Sequence, residues 1–313
     1  MKILYLDEIK HILEKLDPLP AIEKGFVQYS QGEVTVPPVG ELLMDKGEVH
    51  IKYGCIRDEK FYTIKVASGF YGNASLGLST SNGMMLLFNQ QNGLPECILL
   101  DEGHLTNIRT AIAGAIAAKH LAPKNISAIG VLGTGIQGRL QAFYLKNITP
   151  CREIIVWGRE ESEHLSYKSD MENLGFKVTL AATVSDVIGQ ANLIVTTTPS
   201  SQALIEKHHV RPGIHITAMG SDTSDKQEVD SRVLAMADLV VADSISQCRV
   251  RGEIYQALKN GTIQPNDVME LGDVIANGTG RTSEDQITIA DLTGVAVQDI
   301  KIAEAVYESS LET

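Results

Sequence analysis

The sequence is short of aromatic residues, at 5% with a single tryptophan, and it has four cysteines and no long apolar run. Each shortage excludes something. Cys55, Cys97, Cys151 and Cys248 stand far apart, with no C-x-x-C pair and no histidine at ligand spacing, so neither a disulfide framework nor a metal site is expected. No stretch reaches the ~18–20 apolar residues that a membrane span needs. The best candidate, Ala111 to Ala118, is interrupted by Gly114 and ends at Lys119 and His120. Residues 1–16 mix apolar positions with Lys2, Asp7, Glu8 and Lys10 instead of forming the core of a signal peptide, so a cytoplasmic protein is expected. Positive charge is also scarce. With 27 Lys and Arg against 39 Asp and Glu, the net charge of −12 has the wrong sign for a nucleic-acid or anionic-membrane partner.

What is present is a chain of 313 residues, 43% hydrophobic and with 27 glycines, long enough for two domains of roughly 150 residues each. From residue 126 onward, short β-branched runs (126–132, 153–157, 177–181, 193–198, 213–219 and 239–242) alternate with helical spacing at 137–146 and 161–173. That rhythm predicts βαβ units and a doubly wound parallel sheet over 120–286. The earlier part reads as an α+β unit: a helix over 7–16, extended segments at 34–36, 49–55, 61–66, 83–89 and 96–101, and a turn at Gln91-Asn92-Gly93. A helix over 103–120 joins the two. The closing segment, 287–312, has strand then helix spacing and is expected to return to the first domain, which makes that domain discontinuous (1–119 and 287–313).

Gly133-Thr134-Gly135-Ile136-Gln137-Gly138 is a G-x-G-x-x-G string that follows a strand-like run and opens a helix. In that context it points to a dinucleotide, because the three glycines answer separate needs: a tight turn, a bare backbone against pyrophosphate, and close packing of helix on strand. The next strand runs into Gly158-Arg159, with Glu160 and Glu161 beyond. An arginine at that tip suits a ribose 2′-phosphate and an acid suits a free 2′-hydroxyl, so the cofactor reads as NAD(P), leaning to NADP(H).

Four further stretches complete the pattern: Ile64-Lys65-Val66-Ala67-Ser68-Gly69-Phe70-Tyr71-Gly72-Asn73, Leu105-Thr106-Asn107-Ile108-Arg109-Thr110-Ala111, the segment from Ala218 to Glu228, and the segment from Asp291 to Asp299. With the glycine loop and in this order, the chain resembles the ornithine cyclodeaminase/mu-crystallin family. The resemblance implies a Rossmann-type dinucleotide domain, an α+β domain that binds substrate and forms a homodimer, and hydride transfer at the α-carbon of a small amino or imino acid.

Lys65 lies on an apolar strand and Arg109 in an Ala- and Ile-rich helix, and a cation in either place needs an anion, whether an internal carboxylate or a ligand's. The resemblance assigns both to the substrate carboxylate, with Lys65 near the reacting carbon. It assigns Asp222, at the carboxyl end of a strand, to the substrate amine as acid or base. It assigns Thr110, Thr197 and Thr198 to the cofactor. Asp225 reads as a solvated loop charge. One departure stands out: relatives commonly carry an arginine after the proline-rich segment, where this chain has Pro37-Pro38-Val39-Gly40-Glu41. Lys52 would substitute if its side of the strand faces the ligand. Three functions follow: an imino-acid reductase or amino-acid dehydrogenase, an ornithine cyclodeaminase releasing ammonia and proline, or a non-catalytic NADPH-binding protein of the crystallin type.

Overall fold

Along residues 61–65 every second side chain is buried (Phe61, Thr63 and Lys65), the alternation of an antiparallel sheet with one covered face. The computed structural model describes residues 1–312, except for the side chains of Tyr71 and Ala74. The Tyr71 side chain of the first signature stretch and Thr313 of the expected first domain therefore lie outside what is described. The chain divides into two compact units, Met1–Thr110 with Val295–Thr313, and Ala111–Gly294.

In the first unit, β1 (Lys2–Tyr5), α1 (Leu6–Leu13), α2 (Leu19–Ser30), β2 (Val34–Thr35), β3 (Gly40–Met44), β4 (Gly47–Ile56), β5 (Phe61–Gly69), β6 (Ser81–Asn89) and β7 (Pro95–Leu100) lead into α3 (His104–Leu121). The sheet order is β1-β7-β6-β5-β4-β2 with β3 on β4; all pairings are antiparallel except the parallel β1 and β7. Gly93, at φ 72°, makes the expected turn between β6 and β7. The sequence reading lacked α2. Pro18 and Pro20 look like breakers there, yet proline is tolerated in a first helical turn, where its missing N–H has no partner to lose. The short edge strands β1 and β3 have too few residues for a periodic signal.

The second unit holds β8 (Ile129–Leu132), α4 (Ile136–Leu145), β9 (Glu153–Trp157), α5 (Ser162–Asn173), β10 (Lys177–Leu180), α6 (Val184–Gln190), β11 (Leu193–Thr196), β12 (His215–Ala218), α7 (Ser231–Leu234), β13 (Leu239–Ala242), α8 (Ile245–Cys248), α9 (Gly252–Lys259), β14 (Val268–Glu270), α10 (Leu271–Asn277) and β15 (Thr288–Asp291). Its wholly parallel sheet runs β10-β9-β8-β11-β12-β15-β13-β14. From β8 the chain builds outward first on one side and then, through β11, on the other. The loop after β8 thus sits at the topological switch point, where open α/β sheets bind ligands.

The division between units falls at 110/111 and 294/295, not at the expected 119/120 and 286/287. Helix α3 continues through the first crossing, and its Ala118 belongs to an apolar core of the second unit. The closing segment splits: β15 pairs in parallel with β12 and β13, and only α11 (Ala296–Glu312) belongs to the first unit, packed on β4, β5 and α2.

Candidate active site

In the first unit, β5 carries Lys65 inward and the register places Lys52 of β4 directly opposite it, so both ammonium groups lie on the covered face. Helix α11 lays Asp299 over them. Lys65 Nζ is 3.0 Å from the Asp299 carboxylate, and Arg109 Nε, from α3, is 2.9 Å from the same group. Arg109 also donates to Gln298 Oε1 at 2.9 Å. Asp101 accepts from the Leu105 amide at 2.8 Å, at the start of α3. All of these side chains are buried.

The charges in this cluster shift one another. Burial is the main force pushing the Lys65 ammonium down to about 7, and the charges of Arg109 and Lys52 add to it while Asp299 opposes them. Burial resists ionisation of Asp299, yet Arg109, Lys65 and Lys52 together hold its carboxyl below the usual range. Burial lifts Asp101 to about 6, against its backbone hydrogen bonds and the Lys65 charge. Lys52, Lys65 and Arg109 thus share a nearly dry site with Asp299 and Asp101. Lys52 shares the face of Lys65, and Gly40 and Glu41 lie on β3 opposite Ile51 and His50.

In the second unit the glycine string performs its three tasks at separate residues. Gly133 has φ 118°, and a Cβ there would lie 2.6 Å from Thr197 Oγ1. A Cβ on Gly135 would meet nothing within 4 Å, and no side chain caps the N-terminus of α4 that it precedes. A Cβ on Gly138 would lie 2.1 Å from the Gly133 carbonyl oxygen, so only glycine allows α4 to pack there. Arg139 braces the turn by donating to the Thr134 carbonyl. An open turn, an uncapped helix end and a close helix contact fit a dinucleotide.

A cavity of about 320 Å³ opens at this turn, and it brings together Gly133, Thr134, Gly135, Arg159, Thr197 and Thr198. Trp157, Glu160 and Glu163 also line it. Ile136, Gln137 and Gly138 lie in the first turn of α4 and are not part of that lining. Thr110 lies on α3, next to Arg109, in the first unit. Arg159 is 84% exposed along its side chain, with Nε 3.2 Å from Glu160 Oε1.

Asp222 follows β12 and is partly exposed. It accepts from Lys226 Nζ at 2.7 Å, and its carbonyl accepts from Arg251 at 3.3 Å. Asp225 is exposed and accepts from the Thr223 hydroxyl at 2.6 Å. Among the described residues no group of three or more His, Cys, Asp or Glu side chains is arranged to hold a metal, and no helix is long and apolar enough to cross a membrane. The sequence reading missed Asp299, Asp101 and Gln298 as members of the cation cluster. The cue for Asp299 and Gln298 was polar residues amid the apolar Val297, Ile300 and Ile302 of α11 and Val295 just before it.

Fold and glycine turn together define an α/β protein with a Rossmann-type dinucleotide domain. The chain belongs to the ornithine cyclodeaminase/mu-crystallin family, whose profile matches residues 2–313. It is 39% identical to an uncharacterised cyclodeaminase of Sinorhizobium fredii, over 100% of this chain and 96% of that protein. An archaeal alanine dehydrogenase dimer with bound NAD superimposes with a TM-score of 0.91 at 31% identity, covering 100% of this chain and 96% of the other. The iminosuccinate reductase of Paracoccus denitrificans in complex with NAD+ gives 0.90 at 29% identity, covering 100% and 97%.

Proposed function

We propose that this protein is an NAD(P)-dependent enzyme acting at the α-carbon of a small α-imino or α-amino acid, as an imino-acid reductase or amino-acid dehydrogenase. The observation that carries the proposal is the buried pairing of Lys65 and Arg109 on the one carboxylate of Asp299, with the charges of Arg109 and Lys52 adding to burial in disfavouring the Lys65 ammonium. A substrate carboxylate bound there would relieve the repulsion among these cations. Arg109 presents the planar fork that grips a carboxylate, held in place by Asp299 and Gln298. Lys65, with its pKa near 7, is suited to give a proton to an imine nitrogen or to take one from an amine.

When bound, the nicotinamide supplies or accepts the hydride at the α-carbon. Gly133, Thr134 and Gly135 would hold its pyrophosphate, with Ile136, Gln137 and Gly138 shaping the helix end, and Thr110, Thr197 and Thr198 are assigned to it as well. For the ribose we propose a 2′-phosphate held by Arg159. Glu160 and Glu163 at the same edge, and the NAD held by the two relatives, support NAD(H) instead; the ratio of the two affinities decides. We also propose a homodimer through the open face of the first unit's sheet, where Tyr53 and Met84 are exposed and Ile51, Ile64 and Val66 half-buried.

A second reading, ornithine cyclodeaminase, is favoured by Asp222 at the carboxyl end of β12, where an acid could engage a side-chain amine. The test sets reduced nicotinamide with cyclic imino acids, and with pyruvate plus ammonia, against L-ornithine with catalytic NAD. Stoichiometric loss of reduced nicotinamide supports the reductase. Ammonia and proline without net reduction support the cyclodeaminase, and no turnover in any arm contradicts both.

A further inference from the structure

Glu228 has no exposed surface and is engaged by donors from three places in the second unit. Oε1 accepts from the Thr198 amide at 2.5 Å and the Thr198 hydroxyl at 2.7 Å; Oε2 accepts from the Thr196 hydroxyl at 2.6 Å and the Gly220 amide at 2.8 Å. These donors sit at and just beyond the ends of β11 and β12. One loop, from Thr197 to Ser200, walls the cofactor cavity, and the other, from Gly220 to Lys226, carries Asp222.

The approach is close. A Cβ at Gly220 would lie 2.1 Å from the Thr198 carbonyl oxygen and 2.7 Å from Glu228 Cδ, so the second loop meets the first only because residue 220 has no side chain. Behind the clamp, Glu253 accepts from the amides of Glu228 and Val229 at 2.7 and 3.2 Å, which fixes the backbone from which the Glu228 side chain reaches out.

We infer that Glu228 is a positioning residue: its two oxygens tie the loop that carries Asp222 to the wall of the dinucleotide cavity. The choice of ligand for that cavity rests on the function proposed above; the tie itself does not.

The chemistry requires a carboxylate here. Each oxygen of Glu228 faces one backbone N–H, whereas a glutamine has a single acceptor oxygen and must turn its NH2 toward the other N–H. Glu228→Gln therefore leaves one backbone N–H, of Thr198 or of Gly220, without its acceptor whichever way the amide points. Thr196→Val is the milder companion, since it removes one hydroxyl from the clamp without touching the cavity lining.

The chain's single tryptophan, Trp157, lines the cavity, so energy transfer from Trp157 to NADH or NADPH reads binding without any turnover. Hydrogen exchange over 197–200 and 220–226 reads the tie in the protein alone. Glu228→Gln, measured well below its melting temperature, is expected to raise the Kd by about tenfold, as one unpaired buried donor would, and to speed exchange in those two loops while β8 and β9 stay protected. Thr196→Val is expected to move both in the same direction by less. Equal Kd and equal exchange in folded Glu228→Gln would overturn the inference. If that variant does not fold, unchanged exchange in Thr196→Val overturns it. Absence of energy transfer in the unaltered protein would count against the dinucleotide reading alone, because the exchange measurement still decides the clamp.

Discussion

Two buried clusters of charge, one in each unit, handle the cost of burial in opposite ways. In the first unit, burial and the neighbouring charges of Arg109 and Lys52 fall on Lys65, whose pKa drops to about 7. In the second unit, Glu228, Glu253 and Asp291 are buried carboxyls served by backbone N–H groups and hydroxyls. Burial comes first and neighbouring acids add to it, raising Glu253 and Asp291 well above the ordinary range. The contrast separates recognition from architecture. A cluster of cations that repel one another has a reason to bind an anion, while carboxyls that accept from backbone N–H groups hold loops in place.

The contrast breaks most visibly at Lys65. Lys65→Ala is expected to lower turnover by about 10²–10⁴-fold, the usual worth of a positioned proton donor, with the Kd for the dinucleotide unchanged; near-normal turnover would remove Lys65 from the site. Stability gives the next contrast. Asp299→Ala leaves two buried cations without their carboxylate and is expected to cost about 3–5 kcal/mol in denaturant unfolding. Asp291→Asn in the second unit replaces a carboxyl whose pKa is already raised, and a change within about 1 kcal/mol is expected. Equal losses in the two variants would erase the difference between the clusters.

Protonation sharpens the comparison further. Lys65 is a cation below about pH 7, so kcat/KM for imine reduction should fall as pH rises through 7, and amine oxidation should gain over the same range. Lys65→Arg, which keeps its proton throughout, should flatten both limbs. Stability follows the same sign. The folded pKa lies below the unfolded value, so the folded chain binds fewer protons between about 7 and 10.5, and the penalty of burying Lys65 is relieved as pH climbs through that window. The smallest effect belongs to Arg159, an exposed side chain at the cavity edge. Arg159→Ala is expected to weaken NADPH by about tenfold and NADH by little, and equal affinities in the parent and variant would remove it as selector.

How much of this was legible from sequence depended on whether a feature is local. The glycine turn was readable because its constraints act within six residues, and most of the parallel strands because they lie in short runs rich in β-branched residues, whereas β14, Val-Met-Glu, has no such run and was not read. Lys65 and Arg109 stood out as cations in apolar surroundings, but their shared partner Asp299 lies 234 and 190 positions further along the chain, and no periodicity encodes that pairing. The unit boundaries were misplaced for a related reason. A helix that crosses from one core to the next has the same apolar spacing on both sides of the crossing, and β15 reveals its sheet only through its pairing with β12 and β13. Glu228 was quoted within a signature stretch yet gave no sign of its role, because a clamp is defined by the donors that reach it.

The most direct test of the whole account is the loss of reduced nicotinamide absorbance, with a cyclic imino acid as acceptor, in the unaltered protein and in Lys65→Ala side by side. The account predicts stoichiometric conversion to the amino acid in the first and a rate lower by about two orders of magnitude or more in the second, with Trp157 energy transfer equal in both. Turnover undiminished in Lys65→Ala, or no nicotinamide consumed by the unaltered protein with any imino acid or with pyruvate and ammonia, would contradict it.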